Sequence, residues 1–213
     1  MALIEGFRVQ NYRALRDVTL GKLSTDQRGE PLTPFTVVIG KNGSGKSTLF
    51  DAFGFVADCL TKDVETACDD PRRGGFDRMR SLGTSEPIRF EIYYREAPGE
   101  RPMSYELAIQ VDETGRPFVE SEVLKQRRKG QKHGRPYPFL RLHHGEGEVW
   151  AGEEAVEDGT EDTAKRLVEL TDRRQLGIAT LGTLKEHPRI KRFRDFLKGW
   201  YLSYFHPDAA RSI

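Results

Sequence analysis

Nine residues, GKNGSGKST at 40–48, constrain this chain more than any other stretch of it. Glycines at 40, 43 and 45 free the backbone for angles that other residues resist, so successive N–H groups can turn toward one anion. The preceding FTVVI at 35–39 is a continuous run rich in β-branched residues and predicts a strand buried on both faces. The following stretch, 47–60, carries apolar residues at helical spacing. Strand, glycine loop and helix in this order fit G-x-x-x-x-G-K-[ST], with Gly40, Gly45, Lys46 and Ser47 at the defining positions. Average residue usage gives such a pattern by chance in roughly one chain of this length in a hundred, and the flanks lower that further.

The loop predicts binding of a nucleoside triphosphate, ATP with Mg²⁺. The backbone around Gly40, Asn42, Gly43, Ser44 and Gly45 would wrap the phosphates, and the helix would aim its positive end at the same anion. Lys46 would supply a full charge to the β- and γ-phosphates, and the Ser47 hydroxyl would ligate the metal. Thr48 would cap the helix or reach the α-phosphate.

Elsewhere the composition mostly excludes. The 34 basic and 33 acidic side chains nearly cancel, so no global field argues for nucleic acid or for a disordered acidic tail. Cys59 and Cys68 lack metal-ligand or redox-motif spacing and read as free thiols of a reducing compartment. The first residues contain no long apolar run, and no stretch reaches the length of a membrane span. A cytoplasmic protein without a cleaved leader is expected.

Alternation predicts strands at 3–9 and 14–20, followed by a turn-rich loop at 21–34. Residues 62–85 read as irregular. Strands are expected at 88–94, 104–111, 118–125 and 139–142 and around Val149 and Trp150, spaced as an antiparallel meander. Helical signals return at 164–170 and 188–198, and the aromatic WYLSYF at 200–205 reads as a strand. The expected organisation is a nucleotide-binding core with the first helix at 1–60, an antiparallel β-lobe with inserted loops at 61–162, and a helical segment with a return strand at 163–213.

The opening IEGFRVQNYRALRDVTL and the later VVIGKNGSGKSTLFDAFGFV resemble the N-terminal part of RecF/SMC-like ATP-binding-cassette ATPases. More narrowly, they and LGTLKEHPRIKRFRDFLKGWYLSYFHPDAAR are similar to a bacterial ATPase family related to the overcoming-lysogenization-defect nucleases. The shared features are the NYRAL start, Asn42 and Ser44 inside the loop, and the acidic-aromatic 51–53 after it. The resemblance implies an α/β P-loop NTPase fold, the N-terminal part of an ABC-like head carrying an antiparallel β-lobe. It implies that Asn11 and Arg13 lie near the nucleotide, with Arg13 on a phosphate. It also implies a glutamine that senses Mg²⁺ and the attacking water, for which Gln175 is the first candidate and Gln110 the second.

Such heads also need an apolar strand ending in Asp-Glu, a Ser-Gly-Gly-type signature loop and a histidine after a later strand. None follows residue 49: Asp69-Asp70 and Glu153-Glu154 lack the strand, and His187 and His206 each precede a proline. No catalytic residue is therefore assigned. Hydrolysis is expected only in a complete protein with a second half and a head-to-head homodimer, coupled to DNA or an effector protein in repair or phage defence. A non-catalytic nucleotide-gated module and a small-molecule phosphotransferase are the alternatives.

One more pattern stands out. Residues 125–144 hold seven Lys or Arg and no acid, whereas 145–162 hold eight Asp or Glu and no base. Adjacent opposite blocks favour mutual pairing over contact with a DNA backbone. His133, His143 and His144 lack a carboxylate or thiol at ligand spacing, so no metal is expected there.

Overall fold

Within residues 3–12, Phe7 and Val9 are fully buried while Arg8 and Gln10 between and after them are not, and a positive φ at Asn11 returns Tyr12 to the buried side. That period of two continues through the chain and gives one sheet with a wet face and a dry face. A computed structural model describes residues 2–24, 29–128, 135–152 and 165–200. In chain order its elements are β1 (Leu3–Tyr12), β2 (Leu15–Gly21), α1 (Lys46–Thr61), α2 (Val64–Cys68) and α3 (Phe76–Met79). Then follow β3 (Ile88–Arg95), β4 (Met103–Val111), β5 (Pro117–Gln126), β6 (Tyr137–His143), β7 (Glu146–Trp150), β8 (Lys165–Glu169), α4 (Gly177–Leu181) and α5 (Pro188–Lys198).

The strands form an antiparallel sheet in the order β2-β1-β3-β4-β5-β6-β7-β8. The expected meander is thus present as β3 to β8, and the two N-terminal strands extend the same sheet through the pairing of β1 with β3. The boundary expected at residue 60 does not divide the sheet.

The helices cover the dry face. α1 lies on β1 and β3: Phe53 stacks on Phe7 at 3.9 Å, and Phe55 packs between Tyr12 and Phe90. α5 sends Phe193 against Tyr94 and Tyr105. The wet face is laced by ion pairs such as Arg8–Asp17 and Lys125–Glu106, both at 2.6 Å. No helix among the described residues is long and apolar enough to cross a membrane.

Three sequence expectations are corrected. Residues 35–39 are not a strand, and Phe35, Val37 and Ile39 are 83%, 61% and 90% exposed. A run buried on both faces needs pairing partners on each side, and the described sheet ends at β2 and β8 without taking it in. The helix expected at 164–170 is instead β8, whose register with β7 runs from Glu146↔Glu169 to Trp150↔Lys165. Pairing decides there: Lys165 meets Glu148 at 2.6 Å and sits 5.5 Å from the Trp150 ring. The irregular stretch 62–85 contains α2 and α3, with Asp63 capping α2 through Thr66 N.

Other expectations fall outside the described residues. They are residues 201–205 of the strand expected at 200–205, His206, the acidic block from Glu153 to Asp162, and Lys129, Lys132 and His133 of the basic block.

Candidate functional site

Local covalent geometry builds the loop first. Gly43 and Gly45 have φ of 80° and 91°, where a side chain would strain the backbone. A Cβ on Gly40 would sit 2.8 Å from Ser44 Oγ. Ser44 N donates to Lys41 O at 3.2 Å and Leu49 N to Gly45 O at 2.8 Å, closing a turn and then the first helical turn.

α1 therefore starts on Gly45, whose missing side chain leaves the N-terminal N–H groups without a cap, and no acid occupies the first turn. An uncapped helix start carries partial positive charge and unsatisfied donors, which together suit an anion. Lys46 Nζ folds back to donate to Gly40 O at 2.6 Å and Lys41 O at 2.7 Å. Its ammonium thus lies across the loop on two neutral carbonyls, which anionic oxygens can outcompete. Asn42, Gly43, Ser44 and Ser47 are exposed, and Thr48, the third residue of α1, is half-buried.

A buried ionic cluster holds this helix from beneath. Asp51 is 5% exposed and accepts from Tyr12 Oη at 2.6 Å and Arg73 Nε at 3.2 Å, with Arg13 Nη1 at 3.4 Å. Arg73 also donates to Asp58 Oδ2 at 2.6 Å and Ala67 O at 3.0 Å, and its guanidinium lies 5.2 Å from the Phe55 ring. Burial, reinforced by the Asp51 carboxylate, drives the Tyr12 hydroxyl pKa far above its ordinary value. Tyr12 consequently stays a donor.

Each sequence-predicted residue can now be placed. Gly40, Asn42, Gly43, Ser44, Gly45, Lys46, Ser47 and Thr48 form one continuous loop-to-helix cradle. Arg13 (φ 51°) donates to Arg72 O at 2.8 Å and faces Asp51, about one turn along α1 from Ser47. It braces the helix as one arm of the buried cluster. Asn11 Nδ2 donates to Pro87 O at 3.0 Å, linking β1 to the start of β3.

Gln175 is not brought to Ser47. Its neighbour Arg174 accepts from Val64 N at 3.0 Å, beyond the far end of α1. That helix of 16 residues spans about 24 Å. Gln110 is held by Ser85 O at 2.9 Å and Arg80 Nη1 at 3.3 Å. His143 and His144 stack on each other at 4.0 Å, and no group of metal-ligating side chains occurs among the described residues.

Sequence reasoning missed Arg73 and the role of Asp51. The signal was an acid set among the apolar residues of a helix face, a position that requires a buried partner.

A protein-family model described as "AAA domain, putative AbiEii toxin, Type IV TA system" matches residues 35–211. No curated protein matches the chain.

Proposed function

The chain belongs to that AAA-domain family, and from this premise we propose that it is the ATP–Mg²⁺-binding part of an ABC/SMC-like ATPase. Membership makes it an AAA-type nucleotide-binding domain of the ATPase class. In the finer reading, Lys46 and the loop amides hold the β- and γ-phosphates, and Ser47 contributes the hydroxyl ligand of Mg²⁺. A complete head, formed with further sequence and a second copy, then hydrolyses the nucleotide and acts on DNA or an effector protein in the cytoplasm.

The observation that carries this reading is Lys46 itself. Its ammonium crosses the loop on two carbonyls beside a helix start that lacks a side-chain cap.

Calorimetric titration with ATP–Mg²⁺ tests it on the parent chain and on Lys46→Ala. Saturable binding that Lys46→Ala removes supports the assignment. Equal affinity in both proteins sinks it.

A further inference from the structure

Arg189, in the first turn of α5, is 4% exposed, and its guanidinium lies 4.1 Å from the centroid of the Phe139 ring. Its Nη1 donates to Tyr137 Oη at 2.7 Å and reaches Gln126 Oε1 at 3.5 Å. Nε and Nη2 are also buried but meet no acceptor among the described residues. Arginine stays charged at every working pH, and burying charged N–H groups without acceptors is costly. An orphaned pair of this kind marks a place where an acceptor belongs.

The surroundings say what kind of acceptor. Arg189 lines a cleft of about 290 Å³ at the β3–β4 turn, together with Arg101 and Arg192. Against these three cations the cleft sets Glu96 and Glu100, and Glu96 is already held by Arg192 Nε at 2.9 Å. α5 opens with a proline, no side-chain cap from His187 and no acid in its first turn. The positive end of an 11-residue helix therefore adds to the field of the arginines.

We propose that this cleft binds a small molecule through an oxyanion, a carboxylate or phosphoryl group that accepts side-on from Nε and Nη2 of Arg189. That edge of a guanidinium matches two oxygens of such a group in parallel. Phe139 and Tyr137 hold the guanidinium at the cleft wall, and binding requires the buried edge to turn over the Phe139 face into the cleft. The site uses nothing from the phosphate loop.

The experiment follows arginine Nε–H resonances in isotope-labelled chain carrying Lys46→Ala, which silences the loop. Inorganic phosphate and succinate are titrated separately. A saturable shift of the Arg189 resonance with at least one of them is expected, and the anion that produces it identifies the group. Calorimetry with the same anion should give a dissociation constant raised about tenfold or more in Arg189→Lys, because charge-assisted hydrogen bonds are lost. Should that variant fail to fold, Arg192→Gln serves instead, and should weaken the same anion by removing a cleft cation. An Arg189 resonance indifferent to both anions, or an affinity unchanged by these substitutions, overturns the proposal. ATP titration of the parent chain reports the loop separately.

Discussion

α1 begins at Gly45 with no side chain across its first N–H groups, whereas α4 begins against the carboxylate of Glu122, which accepts from Gly177 N and from Ile178 N at 3.0 Å. Glu122 is fully buried and takes a third bond from Tyr105 Oη at 3.0 Å. Both helices present the same unsatisfied donors at the start. In α4 they are answered from inside the fold by an acid on β5. In α1 they are left to the exterior, and the nearby lysine occupies the loop's own carbonyls. The difference separates a helix start built for packing from one left open to a ligand.

The largest effect expected is on what holds the open start in place. Asp51→Ala leaves Arg73 buried with its Asp51 bond broken, and removal of one partner from a buried ion pair costs about 3–5 kcal/mol. Urea unfolding should register that loss. A change under about 1 kcal/mol, the range of exposed pairs, would mean the cluster does not support the helix.

The closed start can be tested by pH. Burial raises the Glu122 pKa from 4.5 to about 7, outweighing the hydrogen bonds that favour the carboxylate. The folded state thus holds this proton more tightly than the unfolded chain. The associated stability is complete below about pH 4.5 and is lost as pH rises through 7. The shift corresponds to about 3 kcal/mol. Glu122→Gln should flatten this part of the profile between those values, as followed by denaturant midpoints. An unchanged slope in the variant would place the titration elsewhere.

At the open start, Lys46→Ala should weaken ATP–Mg²⁺ by about 2 kcal/mol or more, roughly thirtyfold in affinity. It should leave the unfolding midpoint nearly unchanged, because the lysine's bonds are exposed ones. Loss of stability comparable to that of Asp51→Ala would show the lysine to be structural. The smallest effect belongs to the basic block. Reversing Arg127, Arg128 and Lys129 to Glu should cost about 0–1 kcal/mol per lost pair and leave duplex-DNA anisotropy unchanged. Salt-sensitive DNA binding abolished by the reversal would assign the basic block to the phosphate backbone.

Much of this contrast could be read from the residues. The loop's glycines, Lys46 and the apolar spacing of α1 announced the open start, and Pro188 with Ile190, Phe193 and Leu197 announced α5. The meander followed from alternation. What escaped depended on distant partners. Tyr12 and Arg73 lie 39 and 22 residues from Asp51, so a local window contains no sign that they meet. KRLVE at 165–169 is too short to separate a strand period from a helical one, and pairing with β7 decides it. FTVVI at 35–39 carries a strand's composition, but composition cannot supply the neighbours a strand needs.

The strand order has a kinetic consequence. From β3 to β8 each strand pairs with the next in sequence, whereas β1 pairs with β3 across the long excursion that carries the phosphate loop. Chain closure over such a separation costs entropy before its contacts repay it. The meander should therefore assemble early, and the β1–β2 hairpin should dock late. Truncating Val9 to Ala should speed unfolding while barely slowing refolding, a low φ-value in stopped-flow measurements. On that account the phosphate loop becomes anchored at both ends only in the last steps of folding.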